Sequence, residues 1–346
     1  MASLTGHRVE CIRVEWLNRM EKLLGVLDGV ESGSLSWQAY ADLPGSGTLV
    51  LEERNQQINT SSDRIRVWWV VEGYGEWALG VYVLASPSRS YTADGSSREL
   101  TLLDKLTIPR NDCLTETLQF TAGSNIIASA VSVLQSTGET AIAYTTSDST
   151  LSNDISWPPG TTKQQVINDL LTTAGYSSLW TDRLGQFRME PYVAPADRPV
   201  IWEFKSGDTS IHLPDWKYEL PLWDATNMVV LTSKADDDDN VMYASAVDQN
   251  PDSPTSIVNM GRVLNPIIEE NVEARDQVDL QAQANRKLLD NSNTVGRITV
   301  QHAPVPLWFN DAVWFSSQGQ TFRATVINQS LELTPGALVQ AEWRQA

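Results

Sequence analysis

The chain has 346 residues, 41% hydrophobic and 20% charged, and its 43 acids outnumber 25 bases for a net charge of −18. That composition belongs to a folded globular protein with room for two or three cores, and it excludes a disordered chain. The charge argues against tight nucleic-acid binding, which depends on Lys and Arg neutralising phosphates.

The acidity is spread, with 22 acids and 14 bases up to residue 196 and 21 and 11 after it, so no acidic tail produces it. No apolar run reaches the roughly 20 residues that cross a bilayer, and Met1–Arg8 lacks an apolar signal core, so no membrane insertion is expected. Cys11 and Cys113 fit neither a disulfide framework nor a zinc spacing, and they read as reduced thiols of a protein made in a cytoplasm.

Residues 1–110 read as a first β unit. Val9, Ile12, Val14 and Trp16 open it. Alternating runs then follow, closed by Gly, Asp, Pro and Ser. Trp68–Leu84, split by Glu72-Gly73-Tyr74-Gly75-Glu76, is the clearest hairpin. Ser86-Pro87-Ser88-Arg89-Ser90 punctuates the unit, and Arg98–Asp104 closes it. Five or six strands in about a hundred residues predict a small barrel or sandwich.

Residues 111–196 change to a mixed α/β pattern. Ser124 is the expected cap of a helix over 125–137, with Ile127, Ala130, Val131 and Leu134 on one face. Thr162-Lys163-Gln164-Gln165 matches a capping box, followed by Val166, Ile167, Leu170, Leu171 and Ala174 as an apolar stripe ending at Gly175. Strands are expected over 141–145 and 186–191. Residues 197–346 read as a second β unit, with strands at 200–204, 216–219, 228–233, 296–302, 312–315, 321–329 and 338–343. A long helix over 272–290 interrupts it, with Val278, Ala282, Asn285 and Leu289 on one side.

Catalytic signals are weak. His7, His212 and His302 are scattered, and no nucleophile elbow, phosphate loop or dinucleotide fingerprint occurs. No enzyme, cofactor or metal is therefore expected. Asp236-Asp237-Asp238-Asp239 lacks the alternating ligands of a calcium loop and reads as a solvated acidic loop. Most of the 13 tryptophans fall in strand patterns and suit a core. Trp157, ahead of Pro158-Pro159-Gly160, and Trp180 stand out as candidate partner-contact aromatics. A glycan-binding module using exposed Trp is the alternative functional reading.

Several passages resemble the tail-tip hub proteins of long-tailed phages, the minor tail proteins of actinobacterial phages, which are related to the baseplate hub of contractile tails. They are Leu27-Asp28-Gly29, Gly33-Ser34-Leu35-Ser36-Trp37, Arg64–Trp68, Glu76–Val83, Lys163–Tyr176, Asp182–Tyr192 and Arg198–Phe204. The resemblance implies a mainly β protein in which two small tail-tube-like β-barrels flank the mixed α/β module. It implies a homotrimer joining tail-tube or distal tail proteins to tip or receptor-binding proteins, at the virion tail tip and assembled in the host cytoplasm. DNA would be met only in transit, and Asp236–Asp239 would then be candidates for an acidic lumen rim. Family members often carry a long C-terminal lysozyme, peptidase or receptor-binding extension. This sequence runs to Ala346, so the expectation is an adaptor.

Overall fold

The computed structural model describes Leu4 and residues 7–52, 58–92, 95–220, 225–234, 240–291 and 296–346. Seven strands form the first part: β1 (Glu10–Leu17), β2 (Leu23–Val26), β3 (Val30–Gln38), β4 (Gly45–Glu52), β5 (Arg64–Val71), β6 (Gly75–Thr92) and β7 (Gly95–Asp104). They lie in the order β3-β4-β7-β6-β5-β1-β2, antiparallel throughout. Period-two patterning sets their faces: Ile65, Val67, Trp69 and Val71 are buried, while Arg66, Trp68 and Val70 point outward. The β5–β6 hairpin pairs Trp69 with Trp77, and Gly73 takes the left-handed conformation that its turn requires.

Ser86–Ser90 does not interrupt the sheet as the sequence suggested. β6 continues to Thr92, with an irregularity between Ala85 and Ser88 that absorbs Pro87. Proline is tolerated there because β5 pairs with β6 only up to Val83, so the missing N–H faces a free edge.

The middle part contains α1 (Thr107–Asn111), β8 (Leu118–Phe120), α2 (Ile126–Gln135), β9 (Ile142–Tyr144), β10 (Ile155–Trp157), α3 (Lys163–Thr173), β11 (Trp180–Thr181) and β12 (Phe187–Met189). Asn125, not Ser124, caps α2: its Oδ1 accepts the Ala128 N–H at 2.9 Å. Thr162 caps α3 through the Gln165 N–H at 3.1 Å. The predicted apolar stripes of both helices meet in a core of their own, with Phe187 and Met189 beneath. β8 and β10, too short for periodicity to register, pair with each other.

The remainder comprises β13 (Val200–Lys205), β14 (His212–Glu219), β15 (Met228–Ser233), β16 (Tyr243–Val247), α4 (Ile257–Met260), β17 (Ile267–Val272), α5 (Gln277–Asn291), β18 (Arg297–His302), β19 (Ala312–Ser317), β20 (Gln320–Glu332) and β21 (Val339–Gln345). Six of these strands join the first seven in one 13-stranded sheet, while β15–β17 form a separate three-stranded sheet against α5.

The α5 stripe differs from the sequence reading. Val278, Ala282, Asn285 and Leu289 all face solvent, and Leu280 and Ala284 pack inward. Asp279 and Gln283 share the buried side because the incoming chain needs them. Asp279 Oδ2 accepts the Arg275 N–H at 3.1 Å, and Gln283 Nε2 donates to the Glu273 carbonyl at 3.0 Å. Buried polar residues that satisfy backbone groups are invisible to an apolar count.

β20 joins the two ends of the chain. One of its edges pairs with β19 over 320–325 and then with β3 over 328–332, while β21 holds the other edge. Residues from both halves consequently share one core. Trp308 ties in the middle part: its ring lies 5.8 Å from Trp37 and its Nε1 donates to the Thr181 carbonyl at 3.1 Å.

A buried ionic cluster makes the second joint. Arg64 on β5 donates to Glu139, which follows α2, and to Glu21 in the β1–β2 turn at 2.5 Å. Lys105 pairs with both carboxylates and donates to the Gly185 carbonyl at 2.6 Å. Two cations and two anions compensate one another away from water.

Trp69→Ala should cost about 3–5 kcal/mol in denaturant unfolding because its indole is fully buried. Trp68→Ala should cost far less, since that ring lies on the outer face beneath Arg13 and Arg66. Equal losses would contradict the assigned faces. Glu139→Ala should cost about 3–5 kcal/mol by leaving the buried Arg64 and Lys105 to share the single carboxylate of Glu21, read by the same titration.

Candidate functional site

An open cleft of about 1410 Å³ lies where the middle part, the large sheet and the α5 layer meet. Three of its carboxylates hold neighbouring side chains or backbone. Asp169 accepts the Trp157 Nε1–H at 2.8 Å, Asp290 accepts the Tyr192 hydroxyl, and Asp311 accepts the Trp308 N–H at 2.7 Å. Burial raises all three above the ordinary carboxylate range, opposed by those hydrogen bonds. Burial and the Asp290 contact likewise push the Tyr192 hydroxyl up. Cations close the cleft in the same manner: Arg198 donates to the Asn310 carbonyl at 2.9 Å and Arg344 to that of Leu289 at 2.7 Å. Chemically this is a polar joint between layers. Among the described residues, no three His, Cys, Asp or Glu side chains gather as metal ligands, and no helix is long and apolar enough to cross a membrane.

The two singled-out aromatics both line this cleft. Trp157 is buried, 5% exposed, with its ring edge-on to Phe120. The sequence offers it as a candidate partner-contact aromatic; in the structure its indole N–H is bound by Asp169 and its ring packs in the middle core. Trp180 is half-buried, edge-to-face with Phe309 at 5.7 Å and covered by Arg188. Asp236–Asp239 lie outside the described residues.

His212 and His302 are direct cross-strand partners on β14 and β18. Each ring faces a backbone carbonyl through Nδ1, and each Nε2 is buried without a hydrogen bond. His302 lies against Phe204 and Trp343, and burial lowers it to about 4, with His212 and Arg8 adding to the effect. Asp104, held by the Leu106 N–H and the Thr181 hydroxyl, is shifted the opposite way by burial, up to about 6.

Apolar side chains are also exposed at the surface, away from the cleft. Leu23, Leu24 and Val26 on β2, at one end of the large sheet, are each about half exposed. Sequence reasoning missed them because an apolar strand normally signals a core.

No family model matches the sequence and no curated protein matches it. Solved structures do. A tail protein from Neisseria meningitidis superimposes with TM-score 0.69 at 12% identity, covering 97% of each chain. A 43 kDa tail protein of prophage MuSo2 from Shewanella oneidensis gives 0.64 at 13%, covering 98% of each. The chain has the fold of phage tail proteins. That fold extends to prophage tail protein gp18 from Listeria monocytogenes, with TM-score 0.57 at 10% identity, covering 96% of this chain and 94% of the other.

The two shifted groups predict opposite pH responses. His302 is neutral in the fold and has a reference value of 6.5, so its contribution is intact above pH 6.5 and is lost as pH falls toward 4. The loss should approach roughly 3 kcal/mol. Asp104 favours the fold as pH falls from about 6, so wild type alone mixes the two. The stability of wild type minus that of His302→Phe, measured by urea unfolding from pH 7.5 to 4, should fall with pH. A flat difference would refute the assignment.

Proposed function

We propose that this chain is a structural, non-enzymatic phage tail protein acting as a homotrimeric hub between tail tube and tail tip. The observation that carries the reading is the end-to-end match to phage tail proteins, which leaves almost none of either chain unaligned. The large sheet supports it: both halves of the chain share one core, a rigid body suited to a ring. The cleft supports a scaffold role too, because its buried carboxylates Asp169, Asp290 and Asp311 hold Trp157, Tyr192 and Trp308 in place.

In this reading the −18 charge keeps passing DNA from adhering to the walls of a central channel. Tail-tube or distal tail proteins would bind one side and tip or receptor-binding proteins the other. Localisation would be the virion tail tip after assembly in the host cytoplasm. The glycan-binding alternative needs exposed Trp, and Trp157 is buried.

Light scattering over a concentration series should find a species near three times the 38.4 kDa chain mass, seen as a threefold ring by negative-stain electron microscopy. A monomer at every concentration would count against the homotrimer.

A further inference from the structure

Three arginines from three elements meet on one stretch of the cleft: Arg198 just ahead of β13, Arg286 on α5 and Arg344 on β21. They surround the Tyr192–Asp290 pair. Arg286 stands over the Tyr192 ring at 6.0 Å, Arg198 Nε donates to the Val193 carbonyl at 3.1 Å, and Arg344 donates to the Leu289 carbonyl at 2.7 Å. Burial raises the Asp290 carboxyl, and the Tyr192 hydroxyl, Arg344, Arg198 and Arg286 pull it back down.

Charge does not balance here. Elsewhere on the seam Lys287 pairs with Glu269 at 2.5 Å, Lys234 with Glu273 at 3.4 Å and Arg183 with Asp311 at 3.7 Å. Among the described residues, no carboxylate lies within ion-pair distance of Arg198, Arg286 or Arg344. Three cations around the one carboxylate of Asp290 leave a local excess of two positive charges. The cleft as a whole has more acids than bases along its walls, so the excess belongs to this stretch alone.

Arg344 is the sharpest case. It is 5% exposed, and its two Nη atoms reach only neutral acceptors, the Leu289 carbonyl and the Tyr40 hydroxyl at 3.4 Å. Its Nε is buried without a hydrogen bond. A buried cation with no counter-charge and an unused donor is costly unless an anion completes it. Arg286 makes no hydrogen bond to a described residue, so its fork is available as well.

Guanidinium forks match the oxygens of phosphate and carboxylate groups. The excess of two charges selects a dianion over a single carboxylate or the singly charged phosphodiester of a nucleic-acid backbone. We propose that Arg198, Arg286 and Arg344 form a binding site for free, doubly charged phosphate. Bound there, the anion ties α5 to β21 and to the segment ahead of β13. The site does not depend on the chain's being a trimer.

Isothermal titration of the full chain with sodium phosphate at pH 7.5, in sodium chloride of matched ionic strength, should show one saturable site per chain. Sodium acetate should show none. Arg286→Gln removes a half-buried cation with no hydrogen bond to lose, and should weaken phosphate about tenfold. Asp290→Asn keeps an acceptor for Tyr192 while deleting the central negative charge, and should tighten binding about tenfold. Lys217→Gln, an equal loss of charge outside the cleft, should change nothing. Absence of saturable binding to the wild type would overturn the site, as would an affinity that neither Arg286→Gln nor Asp290→Asn moves. Equal binding of acetate would overturn the dianion, and a loss in Lys217→Gln matching that in Arg286→Gln would reduce the effect to overall charge and overturn the site.

Discussion

Everything in this fold hangs on the thirteen residues of β20. A strand has two edges, and β20 divides one of them between β19 and β3 while β21 occupies the other. The Val326 N–H bonds to the Asp311 carbonyl, and one residue on the Ile327 carbonyl accepts the Ala39 N–H, so the handover occurs within a single step of the strand. Ala324, Thr325, Val326 and Ile327 are consecutively buried there, as expected where a strand is covered on both faces. Strands nearly three hundred residues apart in sequence thus share a ladder, and the two halves cannot form separate cores.

The middle part is fixed to that frame by two different kinds of bond. The Arg64–Glu139–Lys105–Glu21 cluster is ionic and buried, so its value is registry: removing one carboxylate leaves two buried cations on the other. Trp308 is aromatic and touches both other parts, through Trp37 on one side and the Thr181 carbonyl on the other. Together they orient the middle core without merging it into the large one, which leaves the polar cleft along the seam. A seam whose buried carboxylates hold neighbouring groups provides stiffness more readily than chemistry.

The sheet ends contrast with this closed interior. The four charges of the ionic joint pair with one another, yet β2 leaves three apolar side chains about half exposed.

Strand and helix identity was legible from residues alone because side-chain period reports the faces of an element directly. The Trp69–Trp77 hairpin, the Thr162 cap and the stripes of α2 and α3 stand where alternation and capping chemistry put them. Periodicity failed where burial was decided by a distant group. Asp279 and Gln283 turn α5 over to satisfy the incoming backbone, and Trp157 is drawn inside by Asp169. The sequence by itself determined a mainly β chain with a helical insert and an acidic surface, since those follow from local pattern and composition. Only the tertiary structure decided that both halves build one sheet, that the cleft is a joint, and that β2 stands at one end of the sheet among the described strands. Each of these depends on pairing across long separations, and no local window of residues contains it.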